Sequence, residues 1–368
     1  MTELLRILAA LSMLYMHQFS QGAARFLPRR PAATPTVAVP TPRPTATATL
    51  VPTATAIPTA TFTPTSLPTA TATAIPLQSV SDPTGFDVVG VPPAQKLPSA
   101  VLIYPLIRVS ATQDTRVEMV NLTNAAVSVS CFYVSSGTCD EIGFFLQLTP
   151  YQPVSWMAST GMNGNNVRVG VPFVGDGELK CVVTPYGPFA SAAAFNALQG
   201  RAVVSDSNGQ TVGYSAIAFR RLSAGSFAGT VLLDGVNYEQ CPDRLHFQVL
   251  TKQSGGPDSE LILVPCTEDL MNQIPSGTNV LFAVINEFEQ HLSGGTALKC
   301  FNRVRFSSVP VFGFNSVGTD TAHVIVRGTD VPVVGLVIDR FATSSGAISA
   351  SSNDPYLEGG RSAGIYLP

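Results

Sequence analysis

The chain has 368 residues, a net charge of −3 and only 12% charged residues, about half the usual share of roughly 25%. Val80 is preceded by five Arg and one Glu and followed by sixteen basic and twenty-three acidic residues, a net of −7 with no Lys/Arg cluster. That balance argues against nucleic acid and anionic membrane surfaces as partners, and the length leaves room for two cores.

Residues 1–24 read as a secretory signal. Arg6 gives a positive start, Leu4 to Met16 is nearly all apolar, and Gly22-Ala23-Ala24 offers a small-residue cleavage site. The apolar run is short for a membrane span, which needs about 20 residues. No Cys stands near it, so a lipoprotein anchor is not expected. Membrane attachment is expected only if this signal stays uncleaved.

Residues 25–98 are predicted to be a disordered linker rich in Pro, Thr and Ala. Pro-Thr-Ala-Thr recurs at 44–47, 52–55, 58–61 and 68–71. Each Pro fixes φ, removes a donor and pushes the preceding residue to extended backbone. The aliphatics are too sparse to offset the entropy of ordering. Extended as polyproline II, the 46 residues of 31–76 would reach about 140 Å. The expectation is a display stalk, a candidate for O-glycosylation on Thr.

From Val101 the texture becomes that of strands. Val101-Leu102-Ile103-Tyr104 is apolar, and Val117, Met119, Val127, Val129 and Cys131 fall at period two. Phe145 to Leu148, Val154 to Trp156, Val167 to Val169 and Leu179 to Val183 follow as short strands separated by Gly/Asn turns. Ala192 to Leu198 reads as a short helix. Ala202 to Ser205 and Val212 to Phe219 read as a hairpin. The second half echoes the first: Arg116-Val117-Glu118-Met119 matches Arg244-Leu245-His246-Phe247, and Leu179-Lys180-Cys181 matches Leu298-Lys299-Cys300. Trp156 finds its counterpart near Phe282, and the last hairpin matches Ala322 to Phe341. The predicted fold is all-β: two related, immunoglobulin-like β-sandwich domains at 99–223 and 224–345, then a C-terminal tail at 346–368.

Six Cys, all after the linker and without zinc-site spacing, favour disulfides in an exported chain. The repeat predicts Cys131–Cys181 and Cys266–Cys300, each worth about 4 kcal/mol in the chain-entropy model. Cys139 and Cys241 have no counterpart. Either they join each other or they pair locally with Cys131 and Cys266. The order Cys131, Trp156, Cys181 has the look of the immunoglobulin pin, although Leu179 stands where its Tyr is expected.

Ser130-Cys131-Phe132-Tyr133-Val134, Leu148-Thr149-Pro150-Tyr151-Gln152-Pro153, Gly177-Glu178-Leu179-Lys180-Cys181, Val264-Pro265-Cys266-Thr267-Glu268-Asp269-Leu270 and Asn286-Glu287-Phe288-Glu289-Gln290 resemble a group of exported bacterial two-domain β proteins with no assigned activity. The resemblance covers about residues 100–341, with a shorter stretch here between Cys139 and Cys181. It implies export and fold continuity and adds no site.

Candidate chemistry is sparse. His246, His291 and His323 are each alone in sequence, and His246 reads as a satisfied strand histidine. Glu287 and Glu289 are predicted on one face of a strand, a pairing able to do acid/base work or hold a cation. Tyr151 and Trp156, with Phe144 and Phe145, are candidates for an aromatic platform for sugar. Asp140-Glu141 and Glu268-Asp269 lack the spacing of a calcium loop, and Gly213-Tyr214-Ser215-Ala216-Ile217 lacks the second Gly of a nucleophile elbow. No metal, cofactor or catalytic residue is therefore expected. The leading expectation is a non-catalytic, secreted or cell-surface module for adhesion, assembly or wall association. A carbohydrate-binding or weakly hydrolytic exoprotein is the alternative, and a purely structural envelope protein the third. The expected partner is a cell-surface or extracellular protein or a polysaccharide.

Overall fold

The computed structural model describes residues 97–184, 196–223, 229–251, 258–309, 312–342 and 348–368. The expected signal, residues 25–96 of the expected linker and most of the expected helix at 192–198 lie outside the described residues.

The first half forms β1 (Val101–Val109), β2 (Gln113–Asn121), β3 (Val127–Ser135), β4 (Glu141–Leu148), β5 (Pro153–Met157), β6 (Gly175–Thr184), β7 (Leu198–Asp206), β8 (Thr211–Ser215) and β9 (Ile217–Phe219). The second half forms β10 (Thr230–Leu233), β11 (Arg244–Leu250), β12 (Asp258–Pro265), β13 (Glu268–Asp269), β14 (Thr278–Asn286), β15 (His291–Leu298) and β16 (Asn302–Arg305). A single helical turn (Phe314–Val317) separates these from β17 (Thr321–Gly328), β18 (Val333–Ala342), β19 (Ile348–Asn353), β20 (Tyr356–Glu358) and β21 (Ala363–Tyr366). Val167 to Val169, expected as a strand, contributes only an isolated bridge from Arg168 to Met162. Leu198 opens β7 rather than ending a helix.

The strands make five sheets. Sheet I runs β4-β3-β6-β1-β9, sheet II β5-β2-β7-β8, sheet III β10-β21-β13, sheet IV β15-β14-β17-β11-β20 and sheet V β16-β12-β18-β19. Neighbours are antiparallel except β13 and β21. Pro105 has no N–H to give, and the β1–β6 register shifts between Tyr104 and Ile107.

Burial explains the order. Sheet II alternates: Val117 and Met119 point into a core whose other wall is sheet I, with Tyr104, Val129 and Leu146. Sheet IV alternates in the same way, with Phe247, Phe282 and Val324 packing against Leu261, Leu263 and Val337 of sheet V. The central strands β1, β3 and β6 of sheet I are buried on both faces. Their second face (Ile103, Phe132, Val134, Val182) packs on Val231 and Ile365 of sheet III. Ile262, Leu336 and Ile338 of sheet V reach the first core from the other half. Strands buried on both sides read as continuous apolar runs, which is why Val101 to Tyr104 does not alternate.

These contacts correct the expectation of two immunoglobulin-like sandwiches. The described residues form one unit of five sheets, with cores shared between the halves. Cys131 and Cys181 are bonded, but they stand directly opposite each other on β3 and β6 of the same sheet, whereas the immunoglobulin pin crosses between sheets. The expected Cys266–Cys300 bond is absent. Cys300 follows β15 in sheet IV, while Cys266 follows β12 in sheet V, so the Leu-Lys-Cys echo is not structural. Instead Cys139 joins Cys300 across 161 residues, tying the two halves, and Cys241 joins Cys266. The segment 346–368, expected as a tail, supplies edge strands β19 and β20 and the central strand of sheet III.

Arginines and acids seal the junction. Arg108 Nε and Arg303 Nη1 meet Asp176 at 3.1 and 2.8 Å, and Arg340 Nη2 meets buried Glu260 at 2.9 Å.

Candidate binding face

Sheet IV turns one set of side chains into its core, so the intervening set faces out. Residues directly opposite in an antiparallel pair share a face. The register therefore lays out rows across the strands. One row runs His291 opposite Ile285, Ile285 opposite His323 and His323 opposite Gln248. The next runs Ala283 opposite Ile325, Ile325 opposite His246 and His246 opposite Tyr356. All three histidines beyond the linker thus stand on one face.

Two of them touch. His246 Nδ1 lies 3.1 Å from His323 Nε2, and His246 Nε2 lies 2.6 Å from Glu358 Oε2. An ionised carboxylate only accepts, so His246 Nε2 carries the hydrogen. His246 Nδ1 and His323 Nε2 share the hydrogen of their own contact. Burial, and after it the neighbouring His246, lowers the His323 pKa. The hydrogen bond from His246 is the main cause that lowers Glu358, with Arg244 adding to it. The Tyr356 ring meets His246 edge-on at 5.6 Å and is 70% exposed. Arg244 reaches Glu358 at 3.5 Å, and Arg327 reaches Asp243 at 3.1 Å.

The described hydrogen bonds of the two rings run to each other and to Glu358, with no hydroxyl or thiol in the chain. That is not the constellation of an activated nucleophile. It is a hydrogen-bonded cluster of His323, His246 and Glu358 beside an exposed aromatic and the half-buried Ile325, an arrangement suited to the apolar face and hydroxyl rim of a sugar ring. Among the described residues, no group of three His, Cys, Asp or Glu is placed to hold a metal ion.

The residues expected from sequence lie elsewhere. Trp156 is 1% exposed, donates from Nε1 to Tyr133 Oη at 2.8 Å, and meets Phe144 edge-on. It is core and cannot be a platform. Tyr151 is 64% exposed, at φ 57° in the β4–β5 turn, away from the buried aromatics. Glu287 and Glu289 do not share a strand face. β14 ends at Asn286, whose Oδ1 accepts from the N–H groups of Phe288 and Gln290 and so builds the turn that holds both acids. Glu287 accepts from Thr321 Oγ1 at 2.7 Å, and Glu289 sits at φ 60°.

A second surface feature is an open groove of about 500 Å³ on the outside of sheet II, lined by Glu118, Ser155, Gln199, Arg201 and Ser215 among others. Glu118 is clamped there at 2.5 Å by both Arg116 and Arg201, and the hydrogen bond from Arg201 is the main cause that lowers its pKa.

No family model matches the chain, and no curated protein matches it. Among solved structures, it is similar to a lectin from Pleurotus ostreatus in complex with GalNAc, at 10% identity, 70% coverage of this chain, 77% of that chain and a TM-score of 0.15. The apo form of a Pleurotus ostreatus lectin gives 11%, 70%, 76% and 0.14.

Proposed function

We propose that this chain is an exported, non-catalytic surface module that binds polysaccharide through the outer face of sheet IV. One observation carries the reading: exposed Tyr356 stands against His246, which is held by His323 and Glu358, on an exposed sheet face. Three disulfides suit an oxidising, extracellular setting. The Pro/Thr-rich sequence of 31–76 suits display on a stalk. The buried Trp156 and turn-bound Glu287 take no part in this reading.

The test is retention of the full chain on a panel of insoluble polysaccharides and isolated cell envelopes. Retention on one polysaccharide, competed by its soluble oligosaccharide, is expected. Retention on envelopes alone would replace the sugar by a protein partner. Retention on nothing would remove the binding function.

A further inference from the structure

Beneath sheet I lies a charged group that the binding face does not use. On β6, Glu178, Lys180 and Val182 alternate onto the face packed against sheet III. Lys180 is flanked in register by Phe132 and Ile103, both in that apolar core. Its Nζ lies 2.6 Å from Glu178 Oε1 and 2.7 Å from Oε2 of Glu268, which opens β13. All three residues are fully buried. The second carboxylate oxygens, Glu178 Oε2 and Glu268 Oε1, are buried without a hydrogen-bond partner. A lasting salt bridge would leave two orphaned oxygens and a desolvated ion pair in an apolar core, a costly arrangement.

We propose that Lys180 and Glu268 are a modification site, joined by a spontaneous isopeptide bond, with Glu178 as the proton carrier. Glu268 takes one proton from the ammonium and becomes a carboxylic acid, freeing the amine. The Nζ lone pair attacks Cδ of Glu268, so an N–C bond forms and a C–O bond breaks. Glu178 gives its proton to the departing hydroxyl and takes one from the attacking nitrogen, ending as it began. Ammonium plus carboxylate become amide plus water, and no oxidant or activating group is required. Burial is the main cause that pushes Glu178 up to about 8, so it holds a proton to give at neutral pH. The three groups are already in contact, which removes the entropic cost of encounter. The product exchanges a desolvated ion pair for a neutral amide. It would link β6 of the first half to β13 of the second, close to where Cys139–Cys300 also joins them.

The test is a peptide map of the full chain, reduced and alkylated after denaturation. The expected result is one cross-linked peptide containing Lys180 and Glu268, lighter by one water than the sum of its two parts, with no tryptic cleavage after Lys180. In Glu178→Gln the two peptides should appear separately. Cleavage after Lys180 at unmodified mass in the wild type would overturn the proposal whether or not the variant folds. A bond from Lys180 to Glu178 would overturn it as well. A cross-link that forms equally fast in a folded Glu178→Gln would remove the role of Glu178.

Discussion

Sheets II and IV carry matching strands and present different outer faces. Arg116-Val117-Glu118-Met119 on β2 and Arg244-Leu245-His246-Phe247 on β11 bury the same alternate positions. In sheet II the third residue, Glu118, is neutralised between two arginines. In sheet IV the third residue is His246, held between His323 and Glu358. The decisive difference is the edge strand. In sheet II the edge strand beside β2 is β5, whereas in sheet IV the edge strand beside β11 is β20 from the C-terminal segment, which brings Tyr356 and Glu358. One strand pattern thus gives a salt-bridged wall in one half and a hydrogen-bonding platform in the other.

The largest expected effect tests whether the halves stand independently. Cys139→Ala/Cys300→Ala opens a loop of 161 residues and should cost about 5 kcal/mol in the chain-entropy model, read by urea denaturation. An unchanged midpoint would mean that the shared cores alone hold the halves together. Next, Trp156→Phe leaves Tyr133 Oη without its donor. It should cost about 2 kcal/mol and leave polysaccharide retention unchanged, in keeping with a core role.

A pH series separates the two faces further. The folded pKa of His323 lies below its ordinary 6.5, so the unfolded chain binds this proton more readily. Stability from this site is complete above about 6.5 and falls as pH drops from there toward the folded value. The lowered Glu358 acts in the same direction at lower pH, its contribution present above the ordinary 4.5 and lost as pH falls through the folded value. Thermal melts should therefore show an acid decline that is shallower in His323→Gln; equal slopes would contradict this. The smallest effect belongs to sheet II. Arg201→Ala removes an exposed partner of Glu118, where solvent screens the pair, and should leave the urea midpoint and retention close to wild type.

Much of the fold was legible, and the outer face of sheet IV was not. Period-two runs located β2 and β3, a short apolar run between Gly/Asn turns located β6, and the continuous run from Leu261 to Val264 already carried the mark of a strand buried on both sides. Which sheets stack together was hidden, because matching texture does not encode partners. Leu298-Lys299-Cys300 copies Leu179-Lys180-Cys181 in letters, yet the two stretches pair differently. Asn286 was an available turn cue ahead of Glu287 and Glu289. Strands β20 and β21 have three and four residues, interrupted by Pro355 and Gly359-Gly360, too short for a periodicity to register. The shared face of the three histidines arises from register across β11, β15 and β17, and no local spacing announces it.

The central claim is that recognition belongs to sheet IV. Its most direct test is retention of full-length wild type, Tyr356→Ala and Arg201→Ala on the same polysaccharide, each checked for folding. The account predicts about tenfold weaker retention for Tyr356→Ala, equivalent to about 1.4 kcal/mol, and wild-type retention for Arg201→Ala. Wild-type retention by Tyr356→Ala together with loss in Arg201→Ala would contradict it and move the site to the groove on sheet II.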